Sequence, residues 1–309
     1  MQTSPFHADE LAAQSLAQRA SSGAGIRAFM PDQHRAFFAL LPYLFIATTD
    51  LNGWPVASLV HGRPGFTRAP DPTTLRIDAL PLADDPAATG LEEGRAIGLL
   101  GLDLSTRRRN RANGRVAARD GGGMTVAIDQ SFGNCPQYIQ ERTPVARPRQ
   151  PRPIERLHGL DPAARELIAA ADTFFVASRS RPAIGPADQG GLDISHRGGR
   201  PGFVDVRGDT LMVPDFPGNR FFNTLGNLLG DPRAGLLFLD FANGDLLQLQ
   251  GTVTIDWTGR TASAVAGAER SWRVDVEHSW RRRAPLPFDW TFGGYALTTL
   301  RSGTWPASI

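Results

Sequence analysis

Two stretches in the second half of the chain carry side chains suited to holding an anion. One is Ser195-His196-Arg197-Gly198-Gly199; the other is Asn219-Arg220, followed by Asn223 and Thr224. The pattern predicts a helix over 219–229, stopped at Gly230-Asp231-Pro232, with Asn219 as its cap and Arg220 in its first turn. A helix start offers free N–H groups and the positive end of the dipole, so an arginine and amide donors there suit a dianion. Gly198 and Gly199 allow the backbone to approach a ligand closely. Taken singly, each feature has a plainer meaning: a bulged strand entry at 199–203, an ordinary cap at Asn219, a solvated helix residue at Arg220.

Further candidates lie in the first half. Arg107, Arg108, Arg109 and Arg111 crowd one strand, where alternation puts Arg107 and Arg109 on one face and Arg108 on the other. They either supply charge to the edge of a groove or form a solvated hairpin. The block Asn134-Cys135-Pro136-Gln137-Tyr138 either lines a ligand edge or caps a short helix at Asn134. His61 and His196 have no carboxylate partner at readable spacing, so no metal site is expected. Cys135 is expected to be a buried or inert thiol. Gly121-Gly122-Gly123 lacks the lysine and strand–helix setting of a P-loop, and Arg281-Arg282-Arg283 reads as a surface turn. No residue is assigned as catalytic.

All 33 basic residues are arginine and the chain contains no lysine. A Schiff-base lysine is therefore excluded, and any phosphate must be held by arginine, hydroxyl or backbone donors. A formal charge of +2 gives no general case for nucleic acid. The single Cys135 excludes an internal disulfide. No apolar run approaches the roughly 20 residues of a membrane helix, and no signal pattern opens the chain, so a cytoplasmic protein without membrane attachment is expected.

The chain repeats itself. Gly62-Arg63-Pro64-Gly65-Phe66 recurs 137 residues on as Gly199-Arg200-Pro201-Gly202-Phe203. Gly98-Leu99-Leu100-Gly101-Leu102-Asp103 recurs at the same offset as Gly235-Leu236-Leu237-Phe238-Leu239-Asp240, and Gly114-Arg115-Val116 as Gly251-Thr252-Val253. Two copies of one fold follow. The predicted division is an N-terminal helical extension over 1–30, a first repeat over 31–145, a linker over 146–160 and a second repeat over 161–309. The Pro/Arg-rich run 143–153 marks the junction.

Each copy reads as mainly β with a few helices. Strands are predicted at 43–49, 55–60, 75–77 and 96–102, then at 173–178, 210–213, 234–241 and 246–255. Helices are predicted at 7–19, 32–41 and 161–170, the last with Asp161 as cap and Pro162 at its first position. Many short strands at this spacing suggest a closed or partly closed antiparallel barrel in each half.

With these elements in place, the order of motifs resembles the pyridoxamine 5′-phosphate oxidase-like FMN-binding split-barrel family, in its tandem-barrel, flavin-nucleotide-binding subgroup. The resemblance rests on 194–203, Asp215-Phe216-Pro217-Gly218-Asn219-Arg220-Phe221-Phe222-Asn223-Thr224-Leu225, Asp231–Phe238, 106–115 and 131–140, and spans about residues 30 to 285. It implies two tandem split β-barrels and one main FMN site. Arg220 would sit on the phosphate, Ser195, His196, Arg197, Gly198 and Gly199 along the flavin, with Asn219, Asn223 and Thr224 as further donors. Arg107, Arg109 and Asn134 would come from the opposing barrel. The implied activity is flavin-dependent hydride or electron transfer to a small substrate, with NAD(P)H or a separate reductase as electron source. A flavin-binding electron carrier, or a barrel holding haem or deazaflavin, are the alternatives. The chain would pair as a homodimer or as an intrachain pseudo-dimer. At the 137-residue offset Asn219 and Arg220 fall on Leu82 and Ala83, followed by Asp84 and Asp85, which would repel phosphate from the first-half counterpart. Trp272 is expected in the core, although its segment could also reach a flavin.

Overall fold

The computed structural model describes residues 4–181 and 191–306. The N-terminal segment forms helices α1 (Ala8–Leu16) and α2 (Asp32–Leu40). The first half then supplies β1 (Tyr43–Thr49), β2 (Pro55–His61), β3 (Thr67–Asp71), β4 (Thr74–Ile77), β5 (Ala96–Asp103), β6 (Arg108–Asp120) and β7 (Gly123–Asn134). These make one antiparallel sheet ordered β2-β1-β5-β6-β7-β4-β3. After β8 (Glu141–Ala146) and β9 (Glu155–Leu157) comes α3 (Pro162–Ala170). The second half repeats the plan with β10 (Thr173–Arg179), β11 (Leu192–Gly198), β12 (Asp205–Arg207), β13 (Thr210–Asp215), helix α4 (Asn223–Gly230), β14 (Arg233–Leu239), β15 (Leu246–Asp256) and β16 (Arg270–Arg282). Its sheet runs β11-β10-β14-β15-β16-β13-β12, the same order position for position, with β9 added beside β16. β17 (Phe288–Gly294) pairs with β8, and α5 (Leu297–Leu300) closes the described chain.

Strand alternation explains why each sheet wraps its own core. In the first half Leu44, Ile46, Val56, Leu75, Ile97, Leu99 and Val126 converge from both ends of the sheet into one buried cluster. The second half does the same with Phe174, Val176, Leu211, Leu236, Phe238 and Trp272. Edge strands that share a core without hydrogen-bonding to each other describe an open, split barrel, and the chain has two. The sheets do not close, so the fully closed form of the expectation is not met. Trp272 is fully buried in the second core, as expected.

The opposite faces of the same strands build the junction between the halves. Tyr43, Phe45, Ala47 and Leu59 meet Phe175, Ala177, Ile194 and Leu237 in a third apolar cluster. Phe45 and Phe175, which occupy the same place in β1 and β10, stack on each other at 3.7 Å and 20°. Gly98 and Gly235 form a second matched pair. A Cβ on Gly98 would lie 2.9 Å from Asp193 Cα, and one on Gly235 would lie 2.4 Å from the Pro55 carbonyl oxygen. Since Pro55 and Leu192 open equivalent strands, each barrel presses the same glycine against the same strand of the other. That reciprocity defines an isologous interface, here within one chain.

Five expectations need correction. The run 143–153 is not all linker: its first residues are β8, held by a partner strand more than a hundred residues later. Arg281 and Arg282 are not in a turn but lie buried in β16, paired with Asp161 at 2.5 Å and Asp84 at 2.6 Å. Asn134 ends β7 rather than capping a helix, and Cys135 is exposed rather than buried. The helix predicted over 219–229 starts four residues late, at Asn223. Among the described residues no helix is long and apolar enough to cross a membrane.

Candidate functional site

A cleft of about 360 Å³ opens where the two barrels meet, within the ~300–1,000 Å³ usual for small-molecule sites. The second half supplies β11, the loop 216–222 and the start of α4. The first half supplies the beginning of β6 and the end of β7. Along β11, Leu192, Ile194 and His196 face the inter-barrel core, His196 meeting Phe175 edge-on at 5.7 Å. Asp193, Ser195 and Arg197 take the other face, where they make polar contacts.

Those contacts are dense. Arg111 Nη1 pairs with Asp193 at 3.0 Å and donates to Asn223 Oδ1 at 3.1 Å, while its Nη2 donates to Ser195 Oγ. Ser195 Oγ shares a hydrogen bond of 2.7 Å with Thr224 Oγ1, and Asn223 Nδ2 donates to Glu10 at 2.5 Å. Asp215 receives Arg197 and Arg270, each at 2.6 Å. Arg270 also spans Glu269 at 2.9 Å and lies 5.1 Å above the Phe222 ring. Arg109 differs. It has no carboxylate partner among the described residues, donating to the Cys135 carbonyl at 2.9 Å and to His196 Nδ1 at 3.5 Å.

Charge is therefore unbalanced: six arginines (19, 109, 111, 197, 220 and 270) line the cleft against Asp215 and Glu269. Burial, with Arg111 and Arg197 close by, pushes the Arg109 guanidinium down to about 9, so it stays charged at neutral pH. Burial and then Arg109, Arg197 and Arg142 hold His196 well below the usual histidine range. The ring is thus neutral, and with Nδ1 accepting from Arg109 its proton belongs on Nε2. That N–H, together with Arg109 Nε, Arg111 Nε, Arg197 Nε and Asn134 Nδ2, is buried without a partner. All five unpaired groups are donors.

Of the residues expected at a site, Ser195, His196, Arg197, Asn219, Arg220, Asn223, Thr224, Arg109 and Asn134 line this cleft. Gly198 lines a smaller hollow of about 80 Å³ beside it, walled by Tyr138 and Phe216 stacked at 5.3 Å. Gly199 packs on Phe203 and reaches neither cavity. Arg107 is outside: it sits in the turn before β6 with φ 56°, bound to the Ile139 carbonyl and to Glu141, both at 3.1 Å. The alternation in this strand therefore aims Arg109 and Arg111, not Arg107, at the cleft. Ser195 and Thr224 face it with hydroxyls already engaged, so their work is to fix Arg111.

Arg220 is not on a helix. It and Phe222 adopt left-handed backbone, φ 65° and 61°, and Asn219 binds the Phe221 N–H and Asn134 Oδ1 instead of capping α4. Two such residues within three positions cost about 1–3 kcal/mol each. The loop they shape carries an exposed Arg220 that forms no ion pair among the described residues. Arg270 and Asp215 were not expected; Arg111 was anticipated only as one of the arginines that could bring charge to a groove edge. Arg111 was legible as the next alternate residue after Arg109; the Asp215–Arg270 pair exists only through the β13–β16 register.

The counterpart of this cleft, 137 residues earlier or later, is chemically different. Arg109, Arg111 and Arg197 become Leu246, Gln248 and Val60. Asp85 there accepts from Ser58 at 2.8 Å and Gln248 at 3.1 Å, and Asp84 from Arg282. The polar groups satisfy one another.

No protein-family model and no curated protein matches the chain. Solved structures overlap parts of it: a single-substitution variant of HupZ from Group A Streptococcus at 13% identity, over 40% of this chain and 98% of that one, TM-score 0.30. An FAD-binding protein from Mesorhizobium loti overlaps at 12%, over 42% and 98%, TM-score 0.28. HutZ, a haem storage protein from Vibrio cholerae, overlaps at 13%, over 44% and 98%, TM-score 0.25. Overlaps this slight decide neither ligand nor activity. The described residues define a tandem split-barrel protein with an arginine-rich cleft between its barrels.

Proposed function

We propose that the chain is a flavin-binding oxidoreductase that holds FMN in the inter-barrel cleft. The observation that carries this reading is the charge of the cleft wall, six arginines against two carboxylates, with Arg109 and Arg220 forming no ion pair among the described residues. Such a wall complements a ligand rich in acceptors and bearing negative charge. FMN has both, a phosphate of about −1.5 to −2 charge and a ring edge of carbonyl oxygens and ring nitrogens. Arg220 and the 217–220 loop would hold the phosphate. Arg109 and Arg197 would face the ring, with Tyr138 and Phe216 beside it. The flavin supplies hydride or electron transfer when bound. The residues of this chain orient it, and the neutral His196 keeps a fixed proton at Nε2. Because the counterpart site is internally satisfied, one FMN per chain is expected. Purified protein should show flavin absorbance, released ligand with the mass of FMN, and loss of both in Arg220→Ala but not in the remote Arg233→Ala. A haem or deazaflavin spectrum, or equal retention in both variants, overturns the reading. Oxidation of NAD(P)H by the loaded protein separates an enzyme from an electron carrier fed by a reductase.

A further inference from the structure

We infer that the segment before the first barrel is a working part of the cleft: Phe6 and Glu10 position its walls, and Arg19 is a further contact for the anionic ligand. The identity of that ligand rests on the FMN reading above. Helices α2 and α3 lead into β1 and β10 alike, whereas α1 has no helical counterpart ahead of α3 among the described residues. It packs on α4, in the other half, so closely that a Cβ on Gly226 would lie 2.6 Å from Glu10 Cα. His7 Nε2 meets Asn227 Oδ1 at 2.8 Å, and Asp9 pairs with Arg181 at 2.8 Å. The extension is therefore fixed at the arginine-rich cleft and not at its counterpart.

Glu10 acts through Asn223. The carboxylate is buried, 6% exposed, and its Oε1 accepts from Asn223 Nδ2 at 2.5 Å. An amide held by its nitrogen turns its oxygen the other way, and Asn223 Oδ1 accepts from Arg111 Nη1 at 3.1 Å. Without Glu10 the amide is free to flip and to set N–H against the guanidinium. Phe6 acts through Phe221. Arg220 and Phe222 hold left-handed backbone, a conformation that persists only where the surroundings impose it. Phe221, between them, is what the extension grips: the Phe6 ring meets it edge-on at 5.6 Å, and Gln14 Nε2 donates to its carbonyl at 3.4 Å. Past α1 the chain brings Arg19 to the cleft wall, where its carboxylate neighbour Glu269 is 3.7 Å away and is held more closely by Arg270, at 2.9 Å. The Arg19 side chain is 47% exposed, so its charge is available to a ligand.

Hydrogen–deuterium exchange of the ligand-free full chain, read by mass spectrometry, tests the grip without reference to any ligand. Phe6→Ala, or Gln14→Ala should the first fail to fold, is expected to speed exchange of 216–224 about tenfold, with β14 and β15 as protected as before. FMN titration tests the wall. Glu10→Ala and Arg19→Ala should each weaken FMN about three- to tenfold, and Glu10→Gln should restore the affinity that Glu10→Ala loses, because its amide oxygen still accepts from Asn223. Arg19→Ala should leave the melting temperature unchanged. A wild-type chain that takes up no FMN removes the cofactor reading alone, and the exchange result then decides the inference. Unchanged exchange in both variants, FMN affinity unmoved in Glu10→Ala and Arg19→Ala, or a Glu10→Ala loss that Glu10→Gln does not restore would overturn it.

Discussion

Arg109→Gln should improve the ligand-free protein and damage its ligand binding in the same molecule. Arg109 is a charged group with no carboxylate partner, its Nε sealed from solvent, beside Arg111 and Arg197. Holding its pKa well below the usual arginine range, at about 9, would correspond to about 4 to 5 kcal/mol if the group were fully shielded. Its solvent-facing edge reduces this to about 1–2 kcal/mol. The sign follows from linkage. A base whose folded pKa is depressed weakens the fold while protonated, so the penalty is present at neutral pH and is lifted only as pH rises above about 9. Glutamine keeps a donor and removes the charge, so the ligand-free melting temperature should rise by about 2–6 °C. The same change deletes a charge-assisted hydrogen bond of about 1.5–3 kcal/mol, which lowers FMN affinity roughly 10- to 150-fold. A thermal melt by circular dichroism and a flavin-fluorescence titration measure the two effects. A variant that melts lower while binding FMN as before would refute the reasoning and make Arg109 an ordinary structural cation.

Gly235→Ala should lower the melting temperature by several degrees, about 1–3 kcal/mol, because its Cβ would sit 2.4 Å from the Pro55 carbonyl oxygen; a neutral melt would mean that the barrels are not pressed together there. Stability should fall as pH drops below 6.5, because His196 is held neutral in the fold and binds its proton more readily once unfolded. Its share approaches at most about 1.4 kcal/mol per pH unit. His34 and His61, also lowered by burial, act in the same direction. The part owed to His196 is therefore the slope that His196→Gln removes in urea melts at pH 5 and 7, and an unchanged slope would count against a neutral His196. Glu10→Gln should leave the fold intact at neutral pH, because burial raises the Glu10 carboxyl and disfavours its charge; a large loss of stability would show instead that its charge is needed by His7 and Asn223.

Much of the architecture was legible because it is local or repeated. β1 runs over Tyr43–Thr49 as its aromatic and β-branched run predicts, and Asp161 caps α3 through the Ala164 N–H at 2.8 Å. The 137-residue offset announced two sheets of the same strand order. What escaped depends on long-range pairing. β8, which contains Pro144 and leads into the Pro/Arg-rich run, becomes a strand only against β17. Arg281 and Arg282 are buried only because Asp161 and Asp84, distant in sequence, neutralise them. At the cleft, most candidate positions converged, but the start of α4 was misplaced because left-handed Arg220 and Phe222 hold 219–222 outside the helix. Arg107 failed as a candidate because the turn ends one residue later than simple alternation assumes.

The central claim is that one cleft between two like barrels holds one FMN. Ultraviolet–visible spectroscopy of purified protein, with mass analysis and quantification of the released ligand, addresses cofactor and stoichiometry together. The expected result is flavin absorbance and one FMN per chain, because Asp84, Asp85 and Gln248 occupy the counterpart with their own hydrogen bonds. Two equivalents per chain, a haem spectrum, or protein that remains colourless after incubation with FMN would contradict it.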